Sequence, residues 1–138
     1  NIDHAIVGPA GIFTIETKSR TKPLIGSCKV LYDGNALQIA GKRAVDQPLR
    51  QARAQARWLT TLVNRESTGK YNVRPVLVFP EWSVERTGCR TKDDVWVLNP
   101  KAPAKLLECE PHILSNASID FVARILALHC RHTMQDEA

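Results

Sequence analysis

The spacing of hydrophobic and polar positions changes along the chain. Residues 2–7 and 12–18 are rich in β-branched side chains and flank Gly8-Pro9-Ala10-Gly11, a pattern that predicts two strands joined by a tight turn. Residues 19–28 are polar and broken by Gly and Pro, which predicts a loop carrying Lys18, Arg20 and Lys22 near its start. Residues 29–32 and 36–40 flank Asp33-Gly34-Asn35, a hairpin signal. From Asp46 the period becomes helical. Asp46 suits an N-cap and Pro48 the first turn, and Leu49, Ala52, Ala56, Leu59 and Val63 form one apolar stripe.

Residues 73–79 form a nearly unbroken apolar run closed by Pro80, as in a strand buried on both faces. Residues 94–98 (DVWVL) predict a shorter strand stopped by Asn99-Pro100, and residues 102–108 a short helix. Ser118 is then expected to cap a long helix reaching about His132, apolar almost all round and so largely buried. Trp82 and Trp96 are expected in the core, and Trp58 in the core or half-buried. The elements predict one α/β domain over residues 1–138, a mixed β-sheet flanked by helices.

Charge sharpens the picture. The 138 residues carry a formal net charge of +5, with twelve Lys/Arg against five Asp/Glu in residues 1–74 and seven against nine in the remainder. An excess concentrated in one half suggests a surface facing a polyanion. Arg50, Arg53 and Arg57, at i, i+3 and i+7, are expected to line one helix face that either is simply solvated or meets phosphate oxygens without sequence preference. Cys28, Cys89, Cys109 and Cys130 show no disulfide framework, which suits a reducing cytoplasm. Cys109, His112, Cys130 and His132 offer zinc donor types at intervals of no familiar zinc module, so buried thiols and surface histidines are expected. His129 and His132 are expected near the end of the last helix, where its dipole favours their charged forms. No run approaches the roughly 18 apolar residues of a membrane span. The chain starts inside a strand pattern at Asn1 and reads as a segment of a longer protein. Gly-rich phosphate loops and the GxSxG and HExxH motifs are missing.

The first hairpin contains the chemistry. If its turn is residues 8–11, Val7 faces Ile12 and Asp3 faces Glu16, with Lys18 two residues further on the same face. The opposite face would hold Ile2, His4, Ile6, Phe13, Ile15 and Thr17, making His4 a core histidine. Two carboxylates held about 5 Å apart repel unless positive charge intervenes. Lys18 alone would make a structural ion triad. A divalent cation, with the lysine at a phosphate, would make a phosphodiesterase.

Asp3, then Glu16-Thr17-Lys18 across a hairpin, with a helix downstream, resembles the PD-(D/E)xK nuclease superfamily. The wording IDHAIVGPAGIFTIETKS followed by DQPLRQARAQARWL resembles its NERD (nuclease-related) branch, found mainly in bacteria. This resemblance implies a restriction-endonuclease-like fold whose N-terminal helix, carrying a further glutamate, is missing here. It implies Mg²⁺ or Mn²⁺ held by Asp3, Glu16 and the Thr17 carbonyl, with Lys18 as the catalytic lysine. It also implies a helical glutamine, with Gln51 preferred over its competitors Gln47 and Gln55. DNA is the implied substrate, with Arg20, Lys22, Arg50, Arg53 and Arg57 along its backbone, and helicase or zinc-ribbon domains as fusion partners. The alternative is an inactive nucleic-acid-binding or interaction module of a larger protein.

Overall fold

A computed structural model of the chain describes residues 2–19, 28–67, 69–88, 95–99 and 107–137. Arg20, Lys22, Cys89, most of the helix expected at 102–108 and the side chain of His132 lie outside the described residues. Among the described residues, seven strands and two long helices follow in the order β1 (His4–Gly8), β2 (Gly11–Thr17), β3 (Lys29–Tyr32), β4 (Leu37–Ile39), α1 (Gln47–Arg65), β5 (Val73–Val78), β6 (Ser83–Arg86), β7 (Trp96–Leu98) and α2 (Asn116–Glu137). The protein is a mixed α/β structure with helices flanking its sheets.

The expected single sheet is two. The larger has the strand order β1-β2-β5-β7, antiparallel at β1–β2 and parallel at β2–β5 and β5–β7; the smaller is β4-β3-β6. Strand β6 was not foreseen, because its four residues carry little β signal and its partner β3 lies some fifty residues away, in parallel. The first hairpin has the expected register, His4 opposite Ile15 through Gly8 opposite Gly11. Gly11 adopts φ +133, a conformation that side-chain-bearing residues rarely reach. The carbonyl of Pro9 in this turn accepts from the N–H groups of Ile113 and Leu114, tying the chain ahead of α2 to the hairpin.

Helix α1 lies on the larger sheet. Leu49, Ala52, Ala56, Leu59, Leu62 and Val63 are buried. The C-terminal part of this stripe packs with Ile12, Val73 and Val122, and the N-terminal part with Leu77, Phe79, Trp82 and the smaller sheet. Thr60 and Asn64 tie the helix to β5. The Thr60 hydroxyl accepts from Val73 N–H, and the Asn64 amide both donates to and accepts from the Tyr71 backbone at 2.9 and 2.8 Å. On the other face of the sheet Phe13, Val76, Val78 and Trp96 pack together, with Arg74 lying 4.0 Å over the Trp96 ring and paired with Glu110.

Several expectations are corrected here. Asp46 precedes α1 but makes no side-chain cap; its carboxylate pairs with Arg50. The cap of α2 is Ser115, whose hydroxyl accepts from Ser118 N–H, so the helix begins a turn earlier than expected. Helix α2 is not largely buried: Val122 and Ile125 are, but Phe121 and Leu128 are 44% and 54% exposed. Its main contacts among the described elements are with β1 and α1, and Val122 joins the cluster around Ile12 and Val73. Cys109 and Cys130 are exposed rather than buried. His129 stands eight residues before the helix end, outside the reach of the terminal dipole.

Two stability outcomes follow from these contacts. Asn64→Ala removes both hydrogen bonds to Tyr71 and should cost about 1–3 kcal/mol, seen as a lower urea midpoint with an unchanged m-value. In the β3–β4 turn the N–H groups of Asn35 and Ala36, each 2.8 Å from Asp33 Oδ1, hold the Asp33 carboxyl below its usual range. A carboxyl whose folded pKa is depressed stabilises above its unfolded value and loses that contribution as pH falls through the folded one. Asp33→Ala should therefore lower the melting temperature at neutral pH, and the gap should narrow on acidification below about pH 4.

Candidate active site at the first hairpin

Alternation along β1 and β2 sets the site. Glu16 shares its face of β2 with Ile12 and Thr14, the face covered by α1. Asp3, just ahead of β1, continues the same register toward it. Asp3 Oδ2 accepts from Thr17 N–H at 3.3 Å, so its carboxylate lies against the residue that follows Glu16. Lys18 continues β2, its N–H donating to the Val78 carbonyl at 2.9 Å. That bond fixes the backbone from which its side chain turns back toward Glu16.

Four side chains from β2 and α1 then meet. Lys18 Nζ is 3.5 Å from Glu16 Oε1 and donates to Gln51 Oε1 at 3.1 Å. Gln55 Nε2 donates to Glu16 Oε2 at 3.5 Å. The Glu16 and Lys18 side chains are only 12% and 21% exposed, which weakens solvent screening between them. Gln51 and Gln55, one helical turn apart, therefore divide the position for which the sequence offered three candidates: one meets the amine and the other the carboxylate. Gln47 is exposed at the start of the helix. Asp3 joins no ion pair among the described residues, so Lys18 does not bridge the two acids as the structural triad would require. Asp3, Glu16 and Lys18 together carry a net negative charge.

The donor set can be tested against metal chemistry. Among the described residues no three or more His, Cys, Asp or Glu side chains gather as a metal site, so a zinc cage is not on offer. Mg²⁺ asks for less, one or two carboxylates with water and substrate phosphate completing its shell. An acid pair on adjacent strands with surplus negative charge fits that requirement.

The arginines do not form one surface beside these groups. At 100° per residue, Arg50 and Arg57 are turned roughly 100–160° away from Gln51 and Gln55, and both are exposed. Arg53 points to the other flank, where its guanidinium donates to the Gly34 carbonyl at 3.1 Å and holds the β3–β4 turn. His4 is exposed and not a core residue, because β1 is an edge strand whose outer face is left partly open. Ile6 beside it is 38% exposed for the same reason. No sequence signal announces the open cavity bordering Asp3, in which Trp58 and His129 meet edge-to-face from different helices.

Among the described residues no helix is long and apolar enough to cross a membrane. No curated protein and no solved structure matches the chain. A family model of the nuclease-related domain matches residues 1–80, the span that runs from Asp3 through both glutamines to the end of β5. With more than half of its length inside that match, the chain belongs to the NERD, or nuclease-related domain, family.

Proposed function

We propose that this domain is a metal-dependent nuclease of restriction-endonuclease-like fold, hydrolysing phosphodiester bonds of DNA at the Asp3–Glu16–Lys18 cluster. The observation that carries this reading is the Lys18 amine, held between Glu16 and Gln51 beside a second carboxylate that joins no ion pair among the described residues. Membership of a nuclease-related family supports this reaction class, and the cluster holds groups suited to it.

Asp3 and Glu16, with the Thr17 carbonyl, are the groups that would hold Mg²⁺ or Mn²⁺. When bound, that ion polarises a phosphoryl oxygen and lowers the pKa of a coordinated water. Lys18 contributes a fixed positive charge where negative charge grows on the phosphate, and its free donors orient an attacking water. Gln51 accepts from the amine and so aims it, a positioning role. Gln55 holds one oxygen of Glu16, leaving the carboxylate less free to rotate. Because Glu16 and Lys18 are mostly withdrawn from water, their field on a nearby phosphate is stronger than that of an exposed pair.

Asp3→Asn, Glu16→Gln and Lys18→Ala should each lower cleavage of a DNA substrate with Mg²⁺ or Mn²⁺ by at least about a hundredfold. Circular dichroism should report an unchanged fold. Parent and variants cleaving equally well, or a parent indifferent to a chelator, would remove the proposal. The arginines should separate into two classes. Arg50→Ala and Arg57→Ala should weaken binding regardless of sequence and flatten its salt dependence by about one phosphate each. Arg53→Ala should instead cost about 1–2 kcal/mol of stability, read in urea, by releasing the Gly34 carbonyl.

A further inference from the structure

Next to Asp3 the edge of the larger sheet opens into a cavity of about 750 Å³ between β1, α1 and α2. This volume lies within the range of small-molecule sites, roughly 300–1,000 Å³. Ile2, Ala54, Leu59 and Leu126 give it carbon walls, and Asp3 and Gln55 join it to the acid cluster. Its largest aromatic side chain is Trp58, which is 49% exposed, whereas Trp82 and Trp96 are 1% and 5% exposed. The His129 ring meets the indole at 5.3 Å between centroids and 64° between planes. This contact fixes the orientation of the indole and leaves much of its surface open.

A flat heteroaromatic ring suits such a space. It can stack on the indole, its π face is apolar enough for the walls, and its polar edge can reach toward an amide such as Gln55. On the nuclease reading, a strand cleaved at the acid cluster carries rings of this kind on the nucleotide adjoining its scissile phosphate. A base held in a duplex cannot enter, since stacking on Trp58 requires it to leave its own stack, at a cost smallest for single strands and frayed ends.

We infer that the cavity is a base subsite, taking one unpaired nucleobase of the strand cleaved at the acid cluster, stacked on Trp58. The identity of that strand rests on the nuclease reading above, and the substrate class becomes single-stranded or locally unpaired polynucleotide.

The test uses the whole chain and two small probes, dAMP and 2-deoxyribose 5-phosphate. Since Trp58 is the exposed indole of the three, its fluorescence reports the cavity. The nucleotide should quench it saturably and the sugar phosphate should not. By equilibrium dialysis Trp58→Ala should weaken dAMP binding roughly 5- to 150-fold, the scale of one base–aromatic stack. Ala54→Phe, which fills the cavity from an exposed helix position, should lose binding with its melting temperature retained. Equal responses to both probes, no saturable quenching up to about 10 mM, or unchanged affinity in Trp58→Ala would overturn the inference. Lys18→Ala should keep dAMP binding while losing cleavage. A parent that binds dAMP but cleaves nothing would defeat only the nuclease reading. A parent that cleaves but prefers neither probe would defeat only the base subsite.

Discussion

The packing of α1 across the parallel β2–β5 pair is the constraint on which the rest of the structure depends. The helix is anchored at two points: Arg53 reaches the Gly34 carbonyl, and Thr60 and Asn64 grip the backbone entering β5. Along this stretch Ala52 and Ala56 have no bulk and are buried against the sheets. This rotation leaves Gln51 and Gln55 at the border of the buried face, above Lys18 and Glu16. A slip of one residue would move the helix about 1.5 Å and turn it about 100°, carrying both amides off the cluster. The chemistry of the hairpin is thus set by a helix whose anchors lie outside it.

The electrostatics of the cluster make sense only in that setting. A largely withdrawn Glu16–Lys18 pair is a modest contributor to stability at best, because both ions give up hydration to form it. Asp3 adds a negative charge at the rim that pairs with no cation among the described residues. A fold selected for stability alone would gain by replacing such a group; a site that must attract a cation and then a phosphate uses it. Arg50 and Arg57 are exposed on the far side of α1 and do not neutralise the acids.

The sequence is most readable where contacts are local or strictly periodic. A two-residue turn and a period of two were enough to put Asp3, Glu16 and Lys18 on one face, and the α1 stripe followed from its 3.6-residue spacing. What failed was non-local. The β3–β6 pairing joins segments about fifty residues apart with no turn to announce it, so the second sheet was invisible. The sharing of roles between Gln51 and Gln55 depends on helix rotation, which spacing alone leaves free. His4 was expected in the core because alternation gives a face, but not whether anything covers it. Arg53 was grouped with Arg50 and Arg57 by helical spacing, although its side chain is engaged by the turn of another sheet.

Helix α2 is the most informative of these failures. Its apolar residues surround the axis, which normally signals burial on all sides, yet Val122 and Ile125 are buried while Phe121 and Leu128 stay exposed. The Pro9 carbonyl holds the chain entering α2 at the turn end of the first hairpin. From there the helix meets both β1 and α1 but does not close the gap between them. Leu126, His129 and Cys130 therefore become one wall of an opening instead of core. Had α2 settled fully onto α1, Trp58 would be buried and the acid cluster would border solid protein. The incomplete burial that defeated the reading of this helix is what gives the cluster an apolar annex.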